Sequence, residues 1–132
     1  MSMNAELMYL TWVTVLTGVL WIPYILDRIV VWGLIDTVGY PASPKPQSGW
    51  ADRLIKAHNN AIENLVVFAA LVLTAQAAGI VGGVVATAAA LYFWARVVHV
   101  LAYTFAVPWI RTVAFVVGWV AQAMIAWQLL VR

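Results

Sequence analysis

The chain has 132 residues, of which 65% are hydrophobic and 9% charged, with eight Trp and no Cys. Soluble domains are about 45–50% apolar and about 25% charged, so this composition excludes an ordinary soluble enzyme, a disordered chain and a disulfide scaffold. Seven Lys and Arg against five Asp and Glu leave too little positive charge for a nucleic-acid-binding surface. The sequence therefore predicts an all-α integral membrane protein.

The first apolar stretch runs from about residue 5 to about residue 34 and exceeds the about 20 residues that a helix needs to cross the bilayer. Pro23 lies inside this stretch, and we expect a kink there because proline has no N–H to donate. A polar loop follows over about residues 37–50, where Pro, Gly and Ser favour turns.

The remaining chain divides into three further spans. The uncharged run over residues 64–95 is too long for one span, and the glycines within residues 79–83 supply the turn that splits it. Pro108 marks the next boundary. The four predicted helices cover about residues 5–34, 51–78, 84–105 and 110–131. We expect a four-transmembrane-helix bundle in a single membrane domain over residues 1–132.

Basic residues indicate how the bundle is oriented. All but one lie near the end that the first and third loops share, and these are Arg28, Lys45, Arg53, Lys56, Arg96 and Arg111. Only Arg132 belongs to the other end, where we expect almost no polar side chains. Because Lys and Arg concentrate in cytoplasmic loops, we expect this end of the bundle to be cytoplasmic and both termini to lie outside the cytoplasm.

The second predicted helix carries a dense set of polar side chains. At about 100° per residue, five of them fall within a sector about 120° wide, and His58 points away from it. The five are Arg53, Lys56, Asn59, Asn60 and Glu63. Ionisable groups on a membrane helix are costly and indicate a functional site by default.

A stripe on the third predicted helix adds Arg96, His99 and Tyr103, and Arg111 follows near the start of the fourth. Cations outnumber acids at this end of the bundle, which suits a small anionic guest. Two simpler interpretations stay open. Glu63 pairs with a nearby cation of the bundle, or Lys56 and its neighbour Arg53 extend to lipid phosphates.

A metal site is a weaker hypothesis. It would use His58, Glu63 and His99, but His58 and Glu63 are about 140° apart on one helix, and no metal-binding motif is visible. We therefore predict no metal.

Two motifs resemble the signatures of one family. The stretch RLIKAHNNAIEN over residues 53–64 is similar to the second-helix signature of the MAPEG family, membrane-associated proteins in eicosanoid and glutathione metabolism. The run RVVHVLAY over residues 96–103, followed by Arg111, is similar to the family's second signature. The chain thus resembles a bacterial-type member, close in kind to the microsomal glutathione transferases.

The resemblance implies a homotrimer that binds reduced glutathione between neighbouring protomers. By position it assigns Arg111 and Tyr103 to catalysis, with Arg111 activating the thiol. It implies a glutathione-binding set of Arg28, Lys56, His58, Asn60, Glu63, Arg96, His99 and Tyr103. Lys56 stands where the family usually has Arg, so it keeps the charge but loses the bidentate fork.

The implied activity is that of a glutathione transferase or peroxidase with a role in detoxification. Its second substrate would be a lipophilic electrophile or a lipid hydroperoxide arriving through the membrane lipids. The alternative is a non-catalytic membrane protein that binds a lipid or another small amphiphile between protomers.

Overall fold

The computed structural model describes residues 3–131, and all regular secondary structure in that range is helical, with no strand. In chain order the helices are α1 (Ala5–Val19), α2 (Trp21–Trp32), α3 (Leu34–Val38), α4 (Gly49–Ala77), α5 (Gly83–Thr104) and α6 (Pro108–Leu130). Four segments are long and apolar enough to cross a membrane, and α1 with α2 forms the first of them. The predicted four-helix class is confirmed, whereas Arg132 lies outside the described residues.

The first span is interrupted at Leu20, between α1 and α2. Pro23 lies three positions further on and cannot donate an N–H to the carbonyl of Val19, so the helical ladder is broken where the sequence predicts a distortion. The span ends at Trp32 because Gly33 adopts a φ of 83°. In that left-handed region glycine avoids the steric penalty that a side chain would meet.

The short helix α3 occupies residues that the sequence predicts as the end of the first span and the start of the polar loop. The loop proper covers residues 39–48 and folds back on α2 through what we call the Asp27 clamp, formed by Asp27, Arg28, Gln47 and Ser48. The Asp27 carboxylate accepts bonds from the Ser48 hydroxyl at 2.6 Å, the Ser48 N–H at 3.1 Å and Gln47 Nε2 at 3.2 Å. The Arg28 Nε donates to Gln47 Oε1 at 3.0 Å.

Tight turns connect the last three long helices. Gly79 and Gly82 have φ values of 72° and 74° in the turn between α4 and α5, which confirms that glycines divide the long apolar run. Ala106 lies in the turn between α5 and α6 with a φ of 60°. Pro108 then begins α6, a position where its missing N–H costs nothing.

The helices pack closely through small residues and one aromatic stack. Phe68 of α4 and Tyr92 of α5 stack with ring centroids 3.9 Å apart. A Cβ added at Gly118 of α6 would meet Ala95 Cβ at 3.8 Å, so α5 and α6 approach closely there. Close approach through small residues is how helices associate in lipid, where the surroundings are as apolar as the interface.

The expectation of an almost apolar second bundle end is wrong. Glu6 is 1% exposed and its carboxylate accepts the N–H of Gly82. Nearby, Asn4 donates to Gln76 Oε1 at 2.9 Å and caps α1 by accepting the N–H of Leu7. This end lacks cations among the described residues, but the loop N–H of Gly82 requires an acceptor, and Glu6 supplies it.

Candidate functional site

A polar pocket opens where α4, α5 and α6 meet. It has a volume of about 310 Å³, at the lower end of the range for small-molecule sites. Its lining residues are Asn60, His99, Tyr103, Arg111, Thr112 and Phe115, and we call these six residues the polar pocket. Four of the six are predicted site residues, and they come from all three helices.

The stripe on α5 supplies one wall. His99 is 2% exposed, and its ring lies 5.7 Å from that of Tyr103 in an edge-to-face arrangement. These two residues are four apart, so they lie one turn above each other on one helix face. The Nδ1 atom of His99 has no hydrogen-bond partner among residues 3–131.

Arg111 is positioned by the turn that precedes α6. The turn brings the first part of α6 back beside the last turn of α5, and Arg111 Cζ lies 4.8 Å from the centroid of the Tyr103 ring. A guanidinium over an aromatic face at this distance gains about 0.5–2 kcal/mol and is restricted in direction. Its N–H groups remain available, because the described part of the chain gives the side chain no hydrogen bond or ion pair.

Arg96 lies behind the pocket rather than in its wall. It is 3% exposed, and its terminal nitrogen donates to Asn60 Oδ1 at 2.8 Å. The contact continues into the bundle, because Asn64 Nδ2 donates to the Asn60 carbonyl at 2.9 Å and Gln122 Nε2 donates to the Asn64 carbonyl at 3.1 Å. One chain of polar contacts therefore joins α5, α4 and α6.

The charge around the pocket is positive and uncompensated. Neither Arg96 nor Arg111 has a carboxylate within salt-bridge distance in residues 3–131, where the ion pair is the exposed one between Lys56 and Asp52 at 3.2 Å. A charge removed from water without a partner is costly. This positive charge favours an anion, and Asn60, Tyr103 and Arg111 in the pocket lining carry hydrogen-bond donors.

The outer face of α4 carries two predicted site residues that do not enter the pocket of this chain. Lys56 and Glu63 are exposed, one turn before and after Asn60 on the same face. Glu63 has no ion pair with any cation in residues 3–131, so the alternative interpretation that it pairs with a cation of the bundle finds no support within the described chain. Lys56 pairs with Asp52 instead, because these two residues are one helical turn apart.

His58 and Arg28 make contacts elsewhere within the chain. His58 Nδ1 lies 2.8 Å from the hydroxyl of Tyr24 on α2, away from the sector that holds Glu63, as the helical angle predicts. Arg28 belongs to the Asp27 clamp and stacks over the Trp32 ring at 5.0 Å. The structure thus separates the predicted residues into the pocket itself, the support behind it, the outer face of α4, and α2.

Sequence reasoning missed four residues of this region, namely Asn64, Thr112, Phe115 and Gln122. Thr112 could have been found from its position, because it directly follows the predicted site residue Arg111. Gln122 is a strongly polar side chain within the apolar run of α6, which is a signal by itself. No group of three or more metal-ligating side chains occurs within residues 3–131.

Comparison with known proteins gives one result. The model of the MAPEG family matches residues 9–131, nearly the whole chain. No curated protein and no solved structure gives a significant match.

Proposed function

Because the chain belongs to the MAPEG family, we propose that it is a glutathione-dependent membrane transferase or peroxidase. The family includes such enzymes, and it also includes members that are not catalytic. One observation supports the enzymatic function. Arg111 lies over Tyr103 beside Asn60 and His99, in a pocket of about 310 Å³ to which the described residues contribute no carboxylate.

The proposed chemistry is thiolate attack. A free cysteine thiol has a pKa of about 8.5, and the thiolate is the nucleophile. Lowering that pKa to about 6.5 corresponds to about 2.7 kcal/mol of extra stabilisation of the charged form. A guanidinium in a partly dry site supplies energy of this size. We assign this role to Arg111, with the Tyr103 hydroxyl donating a hydrogen bond to sulfur.

The bonds that change follow from the electrophile. In a transferase reaction, sulfur bonds to an electrophilic carbon and the leaving group departs with its electron pair. In a peroxidase reaction, sulfur attacks the terminal oxygen of a hydroperoxide, the O–O bond breaks, and the alkoxide takes a proton. The resulting sulfenic acid reacts with a second glutathione thiol to give a disulfide and water. The lipophilic substrate would reach the pocket through the bilayer.

We further propose that a homotrimer completes the site. Glu63 is exposed and has no ion pair in residues 3–131, on a helix that is long and apolar enough to cross the membrane, and an ionisable group on such a face calls for a partner. Against a neighbouring protomer, Lys56 would meet a carboxylate of the tripeptide and Glu63 its amino group. Arg28 and His58 would contribute from the adjoining subunit, and His99 would line the pocket.

The proposed orientation remains that of a bacterial inner membrane protein with both termini outside. The polar pocket and the Asp27 clamp lie at the end that holds most cations, and the tendency of Lys and Arg to concentrate on the cytoplasmic side supports this orientation. Glutathione would enter there from water.

Titration of glutathione against the purified protein in detergent tests this function. We expect ultraviolet thiolate absorbance of the bound thiol to appear about two pH units below that of free glutathione. Arg111→Met should remove this difference, whereas the control Lys45→Met, which removes an exposed loop cation, should not. Bound glutathione that titrates like the free thiol would overturn the proposed activation.

A second candidate function is that of a non-catalytic binder of a lipid or amphiphile. It is favoured by an apolar groove of about 440 Å³ between α5 and α6, lined in part by Trp94 and Trp109. Thermal unfolding distinguishes the two functions, since a ligand at 100 times its Kd adds about 2.7 kcal/mol of stability. Stabilisation by lipid extract and not by glutathione would decide for this candidate.

A further inference from the structure

The guanidinium of Arg96 is almost completely buried, yet it contacts few groups. Its terminal nitrogen donates to Asn60 Oδ1 at 2.8 Å, and its Nε has no partner among residues 3–131. No carboxylate of the described chain pairs with it. Buried ionic groups can often be replaced by well-packed apolar side chains of similar volume without loss of stability, and Arg96 has no ionic partner that such a change would leave buried and unpaired. The stability of the bundle therefore does not account for an arginine at this position.

The contact with Arg96 determines which way the Asn60 carboxamide faces. Arginine has only donors, so the atom opposite it must be the amide oxygen. Asn64 Nδ2 also approaches that oxygen, at 3.3 Å. The two N–H donors of Asn60 Nδ2 lie on the other side of the amide and have no hydrogen-bond partner in the described chain.

We infer that Arg96 is a positioning residue that holds the Asn60 amide so that its N–H donors serve the polar pocket. This corner of the pocket is then a subsite for an acceptor oxygen, either a carboxylate or a peptide carbonyl. Without Arg96 the carboxamide is free to turn over, and its oxygen would then repel the same ligand atom. The identity of the ligand rests on the proposed glutathione function, whereas the orientation of Asn60 does not.

The test combines glutathione affinity with a measurement made without ligand. Arg96→Met removes the donor, Arg96→Lys keeps one, Asn60→Ala removes the amide, and a double variant joins Arg96→Met with Asn60→Ala. For each we would measure the Kd for glutathione by calorimetry in detergent, the unfolding temperature, and the side-chain amide resonances of Asn60 in nitrogen-15-labelled protein.

We expect Arg96→Met to weaken glutathione binding about tenfold with no loss of unfolding temperature. Arg96→Lys should restore the affinity to within about threefold. Adding Asn60→Ala to Arg96→Met should change the Kd by less than about twofold, because both variants break one contact. The amide resonances of Asn60 should move in Arg96→Met and return towards their native positions in Arg96→Lys.

Several results would overturn the inference. One is an unchanged Kd for glutathione in Arg96→Met. Another is a double variant in which the two losses of affinity add. The third is a set of Asn60 amide resonances that do not move when Arg96 is replaced. If Arg96→Met does not fold, Asn60→Asp replaces it, because Asp keeps an acceptor for Arg96 and offers no donor to the pocket. Unchanged affinity in Asn60→Asp overturns the inference, and a loss of tenfold or more, about 1.4 kcal/mol, supports it.

Failure of the proposed function gives a different result. If the native protein does not bind glutathione, that function is wrong, and the amide resonances still decide the role of Arg96. Resonances that move in Arg96→Met support positioning in that case, and resonances that stay in place exclude it.

Discussion

The Asp27 clamp and the polar pocket lie at the same end of the bundle and use similar side chains, but they differ in how their polar groups are satisfied. In the clamp, the Asp27 carboxylate accepts three hydrogen bonds and Arg28 donates to Gln47. Around the pocket, Arg96 Nε and His99 Nδ1 are buried without partners in residues 3–131.

The two regions thus differ less in how many polar side chains they contain than in whether those side chains have hydrogen-bond partners. A buried polar group that has its hydrogen bonds stabilises the fold, whereas one that lacks them costs free energy until a ligand or partner supplies them. We therefore expect loss of the Asp27 contacts to lower stability and variants of the pocket to lower affinity, and Arg28 is the one clamp residue that also belongs to the proposed glutathione site. Measuring both stability and glutathione affinity for each variant tests whether the two regions differ in this way.

The largest effect is expected for Asp27→Ala. It leaves the Ser48 hydroxyl, the Ser48 N–H and the Gln47 amide without their acceptor, and hydrogen bonds to a charged group are the strong ones. The free energy of unfolding should fall by about 3 kcal/mol. Thermal unfolding in detergent measures this, with exposed Asp36→Ala as the matched control. Glutathione affinity measured below the unfolding temperature should be unchanged. A tenfold weaker Kd would contradict the expectation that the Asp27 contacts serve stability and not ligand binding.

The next effect is expected for Glu63→Gln. Glu63 has no ion pair in the described chain, so the change should leave the unfolding temperature of the protein unaltered. If the carboxylate meets the amino group of glutathione, removing its charge should weaken the Kd about tenfold. Calorimetry with glutathione and with an N-acetylated analogue measures this. Equal losses for the two ligands would show that Glu63 does not contact the amino group.

A smaller effect is expected at Tyr103. Tyr103→Leu removes the ring beneath Arg111 as well as the hydroxyl, whereas Tyr103→Phe removes only the hydroxyl. A cation–π contact contributes about 1 kcal/mol. Glutathione should therefore bind about fivefold more weakly to Tyr103→Leu than to Tyr103→Phe. Equal affinity of the two variants would mean that the ring does not position Arg111.

Helical spacing correctly predicted which residues share a helix face, but it did not predict whether that face points into the bundle or away from it. The angles place His99 and Tyr103 on one stripe and His58 away from Glu63, and the structure agrees. Whether the sector of Lys56 and Glu63 faces the bundle could not be predicted. In lipid the outside of a helix is as apolar as the inside, so hydropathy does not mark the inner face.

Contacts across distant segments were also beyond prediction. The Asp27 clamp depends on a loop that returns to α2, and the short helix α3 depends on the left-handed conformation of Gly33. The bond from Gly82 to Glu6 joins residues 76 apart in the chain. Composition and periodicity report local preference, whereas these contacts follow from how the helices assemble.

The smallest effect is expected at Ala106, in the turn that brings Arg111 beside Tyr103. Its φ of 60° places a Cβ in the left-handed region, which costs about 1–2 kcal/mol, and Ala106→Gly relieves that strain. Glycine also makes the unfolded chain more flexible, at a cost of about 0.4–1 kcal/mol. The net expectation is a gain of about 0.5 kcal/mol in unfolding free energy, with Ala106→Val destabilising because β-branched residues resist positive φ. An unchanged glutathione Kd in Ala106→Gly would show that the turn sets stability and leaves the pocket intact. A weaker Kd would mean that the strained turn itself holds Arg111 over the ring.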